Sequence, residues 1–182
     1  MKETFFEFLK YIKNPVLEED KNLSLKYRFN LLFKIFLFCL IVGFVSTPLY
    51  SLFEELEWIS LENHKVEEIF KDLPFFVVIL IGGIIVPFFE ELIFRAPITL
   101  FKNPKYFKIA FYSFAIIFGL IHITNFESTT TVYLLAPLLV IPQLFAGLAL
   151  GFLRVKLGLQ WSILLHCVYN IFFLSIGLLS DI

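Results

Sequence analysis

The chain has 182 residues, 59% of them hydrophobic and only 17% charged, with a formal net charge of −1. Soluble domains carry about a quarter charged residues, so this composition departs from theirs. It also leaves no basic stripe for phosphates, which argues against nucleic acid as a partner. The two cysteines, Cys39 and Cys167, lie in apolar runs and form neither a CxxC pair nor a disulfide framework.

Residues 1–30 lack the basic-then-apolar pattern of a cleaved signal peptide and read as a cytoplasmic segment. Within them Thr4–Ile12 (TFFEFLKYI) mixes apolar and charged side chains. That suits a short interfacial helix on the cytoplasmic face, or equally a frayed polar lead-in. Glu18-Glu19-Asp20 reads as a solvated turn.

Residues 31–182 form the membrane domain. Five apolar runs follow one another, at Leu31–Leu52, Pro74–Leu100, Phe107–Thr124, Val132–Leu153 and Leu159–Leu179. Crossing a bilayer as helix takes about 20 residues, and runs this uniformly apolar lack the in–out alternation of a barrel. The expected fold class is therefore all-α: a polytopic membrane helix bundle of about five transmembrane helices with an N-terminal interfacial helix.

Lys and Arg mark alternate connections. Lys2, Lys10, Lys13, Lys21, Lys26, Arg28 and Lys34 precede or open the first run, and Arg95, Lys102, Lys105 and Lys108 follow the second. Arg154 and Lys156 follow the fourth, whereas the acidic loop that holds His64 has only Lys65 and Lys71. The positive-inside rule then puts the N-terminus in the cytoplasm and the C-terminus outside, as in a multi-pass plasma-membrane protein. His64 itself reads as a solvated surface residue. The second run contains Gly82-Gly83, Pro87 and Pro97, so a bend near Pro87 is expected, with the helix resuming as a second piece. In the fourth, Gly147 and Gly151 form a small-xxx-small pair for close helix approach, either inside one chain or between two.

Against this apolar background a few polar side chains stand out. Placing a charged one at bilayer depth costs about 2.5–3.5 kcal/mol on insertion scales. Glu91 and Arg95 are i and i+4 and can pair on one helix face. Glu90 is turned about 100° away and left free, which suits proton transfer. The alternative is that both glutamates merely pair with Arg95. His122 late in the third run is a catalytic candidate, or a packed residue bonded to a nearby carbonyl. His166 and Asn170 share a face one turn apart, as oxyanion donors or as interhelical hydrogen-bond glue. Counted from the inner loops, Glu90, His122, His166 and Asn170 sit at heights of about 20, 26, 12 and 18 Å. Serines within the runs, Ser46, Ser113, Ser162 and Ser175, are expected to bond back to their own helices.

The blocks EELIFR (Glu90–Arg95), FGLIH (Phe118–His122) and HCVYN (His166–Asn170) resemble the EExxxR, FxxxH and HxxxN motifs of the CAAX protease and bacteriocin-processing (Abi-type) family of intramembrane proteases. The resemblance covers about Pro74 to Leu179 and departs at Ala96-Pro97, where many members have glycine. It implies an intramembrane endopeptidase acting on a membrane-associated peptide or protein. Glu90 would be the base, with His122, His166 and Asn170 as catalytic partners and Glu91–Arg95 in support. The chain lacks the extra spans of the eukaryotic prenyl proteases, which points to a bacterial member with a different substrate. Zinc is a possible cofactor, held by His122, His166 and Glu90 or Glu91, although no HExxH segment is present. The alternative functions are a non-catalytic bacteriocin immunity or scaffold protein and a small proton-relaying transporter. A two-aspartate mechanism lacks residues, because Asp20, Asp72 and Asp181 all lie outside the runs.

Overall fold

The computed structural model describes residues 1–60 and 72–180, and His64 lies outside the described residues. Every regular element among them is helical. Helix α1 is Lys2–Lys13 and α2 is Leu25–Glu55. The next crossing is composite: α3 (Phe75–Leu80), a π turn (Ile81–Ile85), α4 (Val86–Phe94) and a 3-10 turn (Ala96–Leu100). Then follow α5 (Pro104–Ile121) with a 3-10 turn (His122–Asn125), α6 (Thr130–Leu139), α7 (Ile141–Lys156) and α8 (Leu159–Ser180).

Four of these segments are long and apolar enough to cross a membrane, and the bent pair α6–α7 makes a fifth. The fold is a polytopic helical bundle. Its outward face is apolar: Val45, Phe76 and Leu134 are each 70% or more exposed, as lipid contact requires. Helix α7 is central and packs against α1, α2, α5 and α8.

The fourth run forms two helices rather than one. It bends by 41° between α6 and α7. Pro142, in the first turn of α7, cannot donate to a preceding carbonyl and breaks the ladder there. The Tyr50 hydroxyl donates to the Leu139 carbonyl at 2.7 Å and so satisfies an acceptor at the break.

The N-terminal segment is a helix. Thr4, Phe8 and Tyr11, spaced to share one face, are buried. Phe8 meets Phe145 and Phe152 edge-on at 5.5 and 5.4 Å. The turn that follows is more than solvated surface. Asp20 accepts from the Tyr27 hydroxyl and the Asn22 N–H, and its own N–H donates to the Lys156 carbonyl at 2.9 Å. Burial pushes the Asp20 carboxyl up. The Tyr27 hydroxyl, the Asn22 N–H and the charges of Lys156 and Arg28 outweigh that and hold it below the usual carboxylate range. With the folded value depressed, the tie is fully present above the ordinary carboxylate pKa and is lost as pH falls through the folded one. Protection factors at residues 18–24, corrected for the intrinsic exchange rate at each pH, should accordingly be high at neutral pH and fall only in acid below about pH 4. Equal protection factors at both pH values would remove this role from Asp20.

Gly147 and Gly151 both face α5 within the chain. A Cβ on Gly147 would sit 3.1 Å from the Ala115 carbonyl oxygen, and one on Gly151 would sit 2.8 Å from the Phe111 ring. Backbone cannot yield as a ring can. Gly147→Leu should therefore cost about 1–3 kcal/mol by overpacking, read as an earlier unfolding transition in detergent.

Candidate active site

The site begins with a backbone defect. In the π turn the Val86 N–H reaches back to the Ile81 carbonyl. The same register assigns residue 87 as donor to the Gly82 carbonyl, but residue 87 is proline and has no N–H. The orphaned Gly82 oxygen is taken by Asn170 Nδ2 from α8 at 3.1 Å. The expected break near Pro87 is thus a re-registered turn just before it, and it ties α8 to the second crossing. The helix then runs to Phe94 and gives way to the 3-10 turn holding Pro97. Arg154 of α7 closes this end, donating from Nε to the Arg95 carbonyl at 3.2 Å and from Nη2 to Thr99 Oγ1 at 2.6 Å.

Helix α4 carries both glutamates, and their environments differ. Glu91 is fully buried, whereas Glu90 keeps 24% side-chain exposure. Glu91 Oε1 faces Arg95 Nε at 3.5 Å and His166 Nδ1 at 3.0 Å, and its Oε2 accepts from the Ser162 hydroxyl. Glu90 Oε2 lies 3.4 Å from the other ring nitrogen of His166, Nε2. One imidazole therefore stands between two carboxylates, one sealed and one open. An acceptor-only carboxylate on Nδ1 requires that nitrogen to carry the hydrogen.

Phe118 organises the other side. The Arg95 guanidinium carbon lies 3.8 Å from the centroid of its ring, and His166 and His122 approach the same ring at 5.5 and 4.7 Å. Arg95 Nη1 and Nη2 are buried without hydrogen-bond partners. The ring face stabilises these two nitrogens electrostatically, while Nε faces the Glu91 carboxylate. His122 Nδ1 sits 2.7 Å from the Phe118 carbonyl. A carbonyl only accepts, so Nδ1 is the donor and Nε2 of the neutral ring is left as an acceptor.

Of the side chains singled out in the sequence, Glu90, Glu91, Arg95 and His166 form one contiguous cluster. His122 shares the Phe118 ring with Arg95 and His166. Asn170 joins from one turn farther along α8 and has one amide hydrogen engaged by Gly82. Ser162 is a correction: Ser46 bonds back to the Val42 carbonyl as expected, but Ser162 reaches across to Glu91. Its signal was the spacing Ser162, His166, Asn170, which puts all three on one face of α8. Phe118 was visible only as a motif letter.

A family model described as Type II CAAX prenyl endopeptidase Rce1-like matches residues 72–172, more than half of the chain. The chain belongs to this Rce1-like family. No curated protein and no solved structure matches it. The matched stretch holds all three polar blocks, and the Rce1-like family is one of CAAX-type intramembrane proteases, in keeping with the apolar bundle. Zinc finds a poor fit here: among the described residues no three His, Cys, Asp or Glu side chains are grouped to hold a metal ion. Both His166 nitrogens already face carboxylates, and His122 has Nδ1 engaged by backbone. No step is therefore derived through a metal.

Proposed function

We propose that this chain is an intramembrane endopeptidase that cleaves a membrane-associated peptide or protein with water activated by Glu90. The observation that carries this reading is the pair of carboxylates on one imidazole, of which only Glu90 is open. Water bound between Glu90 and His122 Nε2 would give one hydrogen bond to each. Glu90 takes a proton as the water oxygen attacks the scissile carbonyl carbon. Negative charge then develops on the carbonyl oxygen. His166, when protonated at both nitrogens, keeps Nδ1–H on Glu91 and turns Nε2–H toward that oxygen as Glu90 is neutralised. The remaining Asn170 amide hydrogen is the second donor. Collapse breaks the C–N bond, and Glu90 returns its proton to the leaving nitrogen.

Glu91, Ser162 and Arg95 hold the imidazole rather than react. On α4, Phe89 and Ile93 beside Glu90 are 57% and 59% exposed. The approach to Glu90 thus passes apolar side chains, which favours a substrate embedded in lipid. We place the basic end of the bundle, with the N-terminus, in the cytoplasm, on the distribution of Lys and Arg.

The test is cleavage of membrane-anchored reporter peptides by protein reconstituted in vesicles, with prenylated and unprenylated versions compared by mass spectrometry. Cleavage of either supports the endopeptidase, and the ratio reports the lipid requirement. Binding of peptide with no cut under any condition would favour a scaffold or immunity role instead.

A further inference from the structure

We propose that the groove between α1 and the first turns of α2 is a binding site for the headgroup of an anionic phospholipid, independent of the peptidase reading. A cavity of about 330 Å³ opens there, lined by Thr4 and Glu7 from α1 and by Ser24, Lys26, Asn30 and Lys34 at the start of α2. Lys26, Asn30 and Lys34 are spaced i, i+4, i+8 and form one stripe along the helix, spanning about 12 Å. Lysine stems of this length let both ammonium groups converge on one ligand from different depths.

The basic residues of this turn have divided roles. Arg28 is turned inward, donating from Nε to the Asn22 carbonyl at 3.0 Å and from Nη1 to the Leu157 carbonyl at 3.2 Å. Tyr27 is held by Asp20. Lys26 and Lys34, in contrast, make no ion pair or hydrogen bond among the described residues. The first turn of α2 itself has neither an acidic residue nor a side-chain cap, and the Asp20 carboxylate beside it is held by the Tyr27 hydroxyl. Two cationic side chains, an amide and two hydroxyls thus converge on a single cavity. Glu7, the one carboxylate there, supplies an acceptor for hydroxyls borne by the headgroup itself.

Apolar side chains adjoin the cavity: Leu31 lines it, and Phe5, next to Thr4, is 37% exposed. The next position of the stripe is Phe38, which meets Phe5 of α1 edge-on at 5.2 Å. Phe33, beside Lys34, is 57% exposed. A phosphate ester above and hydrocarbon below is the chemistry of a phospholipid. A free phosphate would use the lysines but not Leu31 and the exposed Phe5 and Phe33 rings.

The experiment uses the full chain purified in detergent, with binding read by native mass spectrometry for phosphatidylglycerol, phosphatidylcholine and soluble glycerol phosphate. Phosphatidylglycerol should bind well above the other two. Lys26→Gln/Lys34→Gln should weaken it about 25-fold, at about fivefold per lysine. Lys26→Arg/Lys34→Arg should keep it, and Lys102→Gln/Lys105→Gln, at the same end of the bundle but outside the groove, should leave it unchanged. Equal binding of phosphatidylcholine, or wild-type phosphatidylglycerol binding by the double Gln variant, would overturn the site. Competition by glycerol phosphate as effective as that by lipid would make it a phosphate-ester site with no lipid requirement, and that too would sink the proposal.

Discussion

Glu90→Gln is expected to lower peptide cleavage by about 10²–10⁴-fold, the range that a positioned general base contributes, while the protein folds and inserts as before. The substitution keeps shape and volume and removes only the ability to take a proton. Glu90 is partly exposed, and the Glu91–His166 contact at 3.0 Å does not depend on it. The thermal transition should therefore stay close to that of the wild type. Glu91→Gln should show another pattern. It takes the charge from a sealed carboxylate that faces Arg95, His166 and Ser162 together, so stability and activity should fall in parallel. Cleavage rates and unfolding curves measured on both variants separate the roles. A Glu90→Gln protein that cleaves at the wild-type rate would remove Glu90 as the base.

Arg95→Leu is expected to be the most destabilising single change in the site, by about 3–5 kcal/mol, the cost of breaking a buried ion pair from one side. Arg95 is 1% exposed and Glu91 is fully buried, so the abandoned carboxylate cannot recover water. The loss also empties the face of Phe118 on which the guanidinium sits. Domains are stable by only about 5–15 kcal/mol, so much of the total is at stake. Arg95→Lys should rescue only part, because an ammonium lacks the planar face that stacks on the ring. Combining Arg95→Leu with Glu91→Leu should restore stability without activity, since His166 Nδ1 would then have no carboxylate to fix it. Unfolding in detergent reads all three. A single Arg95→Leu variant that melts with the wild type would show that the pair contributes nothing net.

The two variants probe features that differed in how visible they were in the sequence. The Glu91–Arg95 pair was visible because i, i+4 contact is a local property of any helix. That Glu90 is turned away from Glu91 followed from the same geometry. The meeting of both glutamates on one imidazole did not. Counting from the loops placed Glu90 about 8 Å above His166, yet the two touch at 3.4 Å, because a rise per residue ignores tilt and the re-registered turn at Ile81–Ile85. Ser162 was assigned to its own helix on a general habit of hydroxyls in membrane spans. Its true acceptor lies on another helix 71 residues away along the chain.

From the one-dimensional pattern alone come the all-helical membrane class, the approximate crossings and the alternation of basic connections, because hydropathy and charge along the chain are what the bilayer reads. The three polar blocks and their order belong there too. Only the folded bundle decided which glutamate is sealed, that Phe118 carries Arg95 on its face, that Asn170 answers the carbonyl orphaned by Pro87, and that the fourth crossing bends. The physical reason is rotation. A helix that is apolar on every side has no hydrophobic stripe to declare which face turns inward. Its orientation is settled by the neighbours it packs against, here through close contacts such as Gly147 on Ala115 and Gly83 on Ile171.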